Sequence, residues 1–212
     1  MFTHINRVAK AYIFWDLTVN SAWGLLSPVF AIFIVQNITV GGIGDAARVA
    51  GFATLCYWIT KAVLQMPIAA YLDKNHGEKD DFWFFVMGTT IVGLVPLGYL
   101  FAHQPWHVYV LQIVQAAGWS MIIPSAAAIF IRHIDEGRES FTTGLDNTLS
   151  GAGIGITGAI GGLIVSYVGF KLIFIMVSIF TLLAIPIIFS IKKNMRPKMS
   201  QKIHKFPPQK IF

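Results

Sequence analysis

Residues 51–72 read GFATLCYWITKAVLQMPIAAYL, an apolar stretch whose only charged side chain is Lys61. Such a run predicts a membrane-spanning helix, because about 20 residues rising about 1.5 Å each cross a hydrocarbon core of about 30 Å. Lys61 lies at the middle of the run, and its side chain is too short to bring the ammonium group to either membrane surface. We therefore expect Lys61 to meet water or an acidic group inside a helix bundle, rather than lipid.

The rest of the chain has the same apolar character. Only 12% of its 212 residues are charged, against about 25% in soluble domains. Six apolar runs, named spans 1 to 6, cover residues 11–36, 47–72, 82–102, 105–132, 142–168 and 169–191. The alternation of a β-barrel is absent, so the sequence predicts an all-α membrane protein. Residues 1–191 form its six-helix bundle, and the basic tail 192–212 is not expected to fold by itself.

The distribution of basic residues predicts the orientation of the bundle. If the N-terminus is cytoplasmic, 13 Lys and Arg residues lie in cytoplasmic segments and only Arg48 and Lys171 lie in outside loops. Because basic residues in short loops stay in the cytoplasm, both termini are expected there, in a multi-pass protein of the plasma membrane. The net charge of +6 is then an orientation signal, and it gives no reason to expect nucleic acid as a partner.

Polar residues form a stripe on each of four spans when residues are placed 100° apart. The stripes are Asp16, Asn20, Trp23 and Ser27 in span 1; Thr54, Tyr57, Lys61 and Gln65 in span 2; Gln112, Gln115 and Trp119 in span 4; and Asp146, Ser150, Gly153, Thr157 and Gly161 in span 5. We expect spans 1, 2, 4 and 5 to surround a polar interior and spans 3 and 6 to face lipid. Ordinary hydrogen bonds between helices are the alternative explanation of each stripe.

Two acids are candidate partners of Lys61. Asp16 and Asp146 lie four to five residues inside their predicted spans, so each is shallower than Lys61, and both a direct ion pair and a water bridge are open. Asp146 has an alternative role, because after Gly144 it can cap the helix of span 5. A second stripe on span 5 consists of glycines that let another helix approach closely. These glycines are Gly151, Gly155, Gly158 and Gly162.

Several local motifs resemble those of the major facilitator superfamily of secondary transporters. The segment AAYLDKNHGEKDD, residues 69–81, is similar to the family's loop between helices 2 and 3 at Asp73, Lys74 and Gly77. In span 5, GAGIGITGAIGG is close to the glycine pattern of the family's helix 5, and YVGFKLIF resembles its junction between helices 5 and 6. In LQIVQAAGWSMIIP of span 4, Gln112 stands where many proton-driven members have arginine.

The resemblance implies one six-helix half of a transporter whose two halves face each other, with helices 1, 2, 4 and 5 around a central cavity. Six spans then predict a homodimer of half-transporters that moves a small solute by alternating access. Its cavity would hold two copies of Lys61, Asp16, Gln112 and Gln115, which suits an anionic or zwitterionic solute and a coupling proton or ion. Asp73, Lys74 and Gly77 would act as a gate, with Asp73 bound to a helix N-terminus or to a basic residue such as Arg132. Residues 69–73 of one chain would pack on the glycine stripe of the other.

Other functions have less support. No nucleophile and base stand together, and no cluster of metal ligands is present, so we expect neither an enzyme nor a cofactor. The remaining alternative is a non-transporting subunit that binds another membrane protein through the glycines of span 5.

Overall fold

The computed structural model describes residues 5–75 and 77–195, which are almost entirely helical. The helices are α1 (Arg7–Leu26), α2 (Phe30–Asn37), α3 (Ile43–Asn75), α4 (Glu78–Tyr99), α5 (Pro105–Arg132), α6 (Glu139–Val168), α7 (Phe170–Leu183) and α8 (Ile185–Ser190), followed by a 3-10 turn, Lys192–Asn194. Within the described residues, six segments are long and apolar enough to cross a membrane, which confirms the predicted all-α membrane protein. Span 1 comprises α1 and α2, and span 6 comprises α7 and α8. Most of the predicted tail, from residue 196 onward, lies outside the described residues.

The helices extend beyond the apolar runs that predict them. α3 carries Asp45 in its first turn and Lys74 in its last, and α6 carries Glu139 in its first turn. Acidic residues near a helix N-terminus and basic residues near its C-terminus suit the helix dipole, so the helix continues after the apolar pattern stops. Asp146 consequently lies two turns inside α6, and its alternative role as a helix cap is excluded.

Span 1 is broken between Leu26 and Phe30. Pro28 cannot donate a backbone hydrogen bond and its ring crowds the preceding turn, so α1 ends here and α2 begins one turn later. The break places Ser27 and Phe30 beside the cavity described below.

The helices at the centre of the bundle are well packed, whereas α3 and α6, at its two edges, are largely uncovered. α4 packs between α5 and α7, whereas α3 packs mainly on α5 and α6 mainly on α1. As a result, 56% of the most apolar 18-residue stretch of α4 is buried, against 11% of the corresponding stretches of α3 and α6. Gly88 of α4 and Gly118 of α5 allow the close approach that buries one face of α4. Trp83, Met87 and Leu94 remain exposed on its other side, so the prediction that span 3 faces lipid stays a prediction.

The polar stripe of α6 packs on α1 and does not face an open interior. A Cβ atom added to Gly161 would overlap the carbonyl of Leu25, and one added to Gly24 would lie 2.9 Å from the Cα of Ile154. The small residues of this stripe are thus the ones that bring two backbones together. In the predicted packing stripe, by contrast, Gly151, Gly155 and Gly162 have open space, and only Gly158 touches α1.

Candidate functional site

A cavity of about 380 Å³ lies between α1, α2, α3, α5 and the last residue of α4. Its lining residues come from the polar stripes of spans 1, 2 and 4, from two further aromatic side chains and from one leucine. They are Trp23, Leu26, Ser27, Phe30, Tyr57, Tyr99, Gln112, Gln115 and Trp119. Its size lies within the range of ordinary small-molecule pockets, about 300–1,000 Å³.

The polar groups of the cavity are only partly satisfied. Gln112 donates a hydrogen bond from Nε2 to the Tyr99 hydroxyl at 3.1 Å. Gln115 Oε1 and Trp23 Nε1 are buried and have no hydrogen-bond partner among the described residues. Buried polar atoms are nearly always paired, so these two atoms are exceptions within the packed wall of the cavity.

Three lining residues, Leu26, Phe30 and Tyr99, are not predicted by the polar stripes. Tyr99 ends α4, in a span assigned to lipid, and Phe30 follows the Pro28 break in an apolar segment. The hydroxyl of Tyr99 at the end of an apolar run is the one signal that could have pointed to it, because a buried tyrosine usually finds a polar partner.

Lys61 lies deep in α3, close to the cavity but not in its lining. It is 14 residues from Asn75 and 18 from Ile43, or about 21 and 27 Å from the two helix ends. Its Nζ lies 4.7 Å from the ring centroid of Trp58 and 5.5 Å from that of Tyr57, both favourable cation–π distances. Tyr57, one turn away, does line the cavity, whereas Gln65 on the same face does not.

Asp16 and Asp146 lie at the packed interface of α1 and α6. Ser150 donates a hydrogen bond from Oγ to Asp16 Oδ2 at 2.5 Å, and Asn20 also bonds the Asp16 carboxylate. Asp146, one turn before Ser150, is only 6% exposed, and its Oδ1 has no partner among the described residues. Within the described ranges, Lys61 forms an ion pair with neither acid. The structure thus brings the two acids together instead of placing either against the lysine.

Charged residues between α4 and α5 lie at the end of the bundle where α1 begins and α8 ends. Arg132 Nη1 lies 2.5 Å from Asp81 Oδ2, and His133 Nδ1 lies 3.6 Å from Glu78 Oε1. Arg132 is thus paired with Asp81, whereas the gate hypothesis offered it as one candidate partner of Asp73. The gating role of Asp73 stays a prediction. Asp73 and Lys74 are exposed at the end of α3, and Gly77 is the residue that precedes α4. This charge cluster fastens α4 to α5.

Replacing Arg132 with leucine should lower the free energy of unfolding by about 3–5 kcal/mol, because the fully buried Asp81 carboxylate would lose its cation. Thermal unfolding in mild detergent measures this change. The double variant with Asp81→Leu should recover most of the loss, and Arg138→Leu, at an exposed residue, is the control. Equal stability of the Arg132 and Arg138 variants would contradict the role of the cluster.

Comparisons with known proteins agree with this architecture. The sequence model of the Major Facilitator Superfamily matches residues 17–210, which include most of every span. A comparison with curated proteins found no match. The family match covers most of the chain, and the six apolar helices fit it, so this chain belongs to the Major Facilitator Superfamily.

Proposed function

We propose that the chain is one half of a secondary transporter, and that two copies together move a small solute by alternating access. Membership of the family indicates a secondary transporter. The observation that carries the finer proposal is that α3 and α6, at the two edges of the bundle, are the least buried spans. In family members, helix 2 of one half packs on helix 5 of the other, and α3 and α6 are the corresponding helices here.

A second copy removes an energetic problem of the single chain. A charged side chain at the centre of a lipid-facing helix costs at least about 2.5–3.5 kcal/mol, and Lys61 stands on the sparsely covered α3. Two-fold symmetry is the commonest arrangement of identical chains. A partner bundle related by a two-fold axis along the membrane normal covers α3 with its own α6 and turns the open side of each cavity inward.

The helix bounds support a particular register for this proposed interface. Ala69 lies six residues, about 9 Å, from the end of α3, whereas Gly155 lies sixteen residues, about 24 Å, from the start of α6. In the proposed interface, residues 69–73 therefore lie at a shallower level than the glycine stripe, which differs from the pairing that the resemblance implied. Ala62 and Ala152 are both exposed, and each lies 13 residues from the same side of the membrane.

A cysteine crosslink tests the dimer. In a Cys56→Ser background, Ala62→Cys with Ala152→Cys should form disulfide-linked dimers in native membranes, because the two positions lie at matched depth. Within one chain, α3 and α6 pack on different helices, so an intrachain bond is not expected. Ala69→Cys with Gly162→Cys, which differ in depth by about 25 Å, is the control. Equal crosslinking of both pairs, or none, contradicts the dimer, and capture of a different protein would favour the partner-subunit alternative.

The orientation and the coupling ion complete the proposal. Both termini face the cytoplasm, which the excess of basic residues in those segments supports.

Asp16 and Asp146 form the site of the coupling ion, a proton that the two carboxylates share. This assignment rests on their common place between α1 and α6 and on the absence of any cation within ion-pair distance among the described residues. Acidic residues buried in a membrane commonly serve as proton relays.

A further inference from the structure

Three aromatic rings surround the ammonium group of Lys192, the first residue after span 6. Phe82 and Trp83 belong to the second turn of α4, and Phe189 belongs to α8. Lys192 Nζ lies 5.7, 5.2 and 5.8 Å from the ring centroids of Phe82, Trp83 and Phe189. A cation within about 6 Å of a ring centroid is attracted by the ring face. The rings therefore hold this ammonium group against the outside of α4.

The charge of Lys192 is not neutralised by a carboxylate. Among the described residues, no acid lies within ion-pair distance of it. The two buried acids in the first turn of α4, Glu78 and Asp81, pair with residues at the end of α5 instead. Trp83, Phe189 and Lys192 are all exposed, so an anion can approach the ammonium group from its open side. Tryptophan and lysine are also the side chains that membrane proteins place at the boundary between lipid and water.

Apolar surface and basic residues continue from this place in opposite directions. Trp83, Met87 and Leu94 fall within about 40° of one another on α4 and are all exposed, so this face leads into the membrane. In the other direction, residues 192–212 contain seven Lys and Arg residues but neither Asp nor Glu. About four to eight basic residues directly after a membrane span are typical of segments that bind anionic lipids. The combination matches a ligand in which acyl chains are joined to an anionic headgroup.

We propose that Trp83, Phe189, Lys192 and Lys193 bind the headgroup of an anionic phospholipid, whose acyl chains follow the exposed face of α4. The phosphate oxygens accept hydrogen bonds from the two ammonium groups and from the indole N–H of Trp83. Hydrogen bonds between an ammonium and a phosphate are charge-assisted, so loss of one lysine should weaken binding about fivefold. This inference goes beyond the transport function and does not depend on the dimer, since α3 and α6 take no part in this surface.

Dioleoyl phosphatidylglycerol, added to the full chain in micelles of mild detergent and dioleoyl phosphatidylcholine, tests the site. Both lipids have the same acyl chains, but only the first has a net negative headgroup. We expect it to raise the melting temperature, since a ligand stabilises the folded state that binds it. Lys192→Gln should need about fivefold more of this lipid for the same rise above its own baseline, and the double variant with Lys193→Gln about 25-fold more. Trp83→Leu should also weaken the response. Lys171→Gln and Trp106→Leu make the same changes at exposed residues of the opposite end and should respond like the unmodified chain.

Three results would overturn the assignment. If Lys192→Gln and Lys171→Gln respond alike, the lipid acts only through general charge attraction, and no site lies between α4 and α8. If the unmodified chain does not respond to phosphatidylglycerol, the lipid does not bind. If inorganic phosphate without added lipid produces the same rise, the lysines bind a free anion and the phospholipid is the wrong ligand. None of these results bears on the dimer, which the cysteine crosslink tests separately.

Discussion

Replacing Gly161 with leucine is expected to abolish the folded bundle. A Cβ atom at this position would overlap the backbone carbonyl of Leu25, which cannot move aside as the end of a flexible side chain can. Overpacking a core typically costs about 1–3 kcal/mol, and a clash with backbone should exceed that range. The variant should therefore separate α1 from α6 and break the hydrogen bond between Ser150 and Asp16. The yield of monodisperse protein after extraction into mild detergent measures the effect.

Gly155→Leu is the matched control for this experiment. It introduces the same side chain into the same helix, but nothing lies within 4 Å of a Cβ atom added at Gly155. The folded monomer should therefore survive, while the crosslink between Ala62→Cys and Ala152→Cys should weaken if the glycine stripe lies at the dimer interface. Equal yields of the two leucine variants would contradict the close packing of α1 on α6.

Asp146→Asn is expected to stabilise the protein and to abolish ion coupling. The buried Asp146 has an oxygen without a partner and stands near the second acid of the same interface, Asp16. An asparagine keeps the shape and adds N–H donors that can bond the Asp16 carboxylate. Because an unsatisfied buried polar group costs about 1–3 kcal/mol, we expect a gain of that size in the free energy of unfolding.

Denaturant unfolding in detergent measures this gain without knowledge of the solute. Asp45→Asn is the control, since Asp45 forms an exposed ion pair with Arg48 that should contribute no more than about 1 kcal/mol. This control should therefore be neutral or slightly destabilising. A clear loss of stability in Asp146→Asn would mean that the carboxylate holds the bundle together, and its assignment to the coupling site would fail.

The membrane spans and the family could be predicted from the sequence. Both depend on local features of the chain, namely long apolar runs and short motifs. Long apolar runs locate the spans, and helical periodicity places Asp146 and Ser150 correctly on one face. Periodicity does not say which helix that face meets: the stripe packs on α1, since its glycines fit the backbone of Leu25. Tyr99 and Phe30 lie in apolar segments, so their place in the cavity emerges only from the packing of the helices.

The hydrogen bond between Ser150 and Asp16 joins residues 134 positions apart, and this separation has a consequence for biosynthesis. A ribosome adds about 5–20 residues per second, so roughly 7–27 s pass between the synthesis of the two partners. Throughout that interval α1 has no α6 to pack against, and the pair of α4 and α5 is complete only near its end. Asp16 must then be kept from lipid by water or by insertion factors. An apolar residue at position 16 would need no such shielding from lipid. The carboxylate therefore makes membrane insertion of α1 harder, which counts against a purely structural role for Asp16.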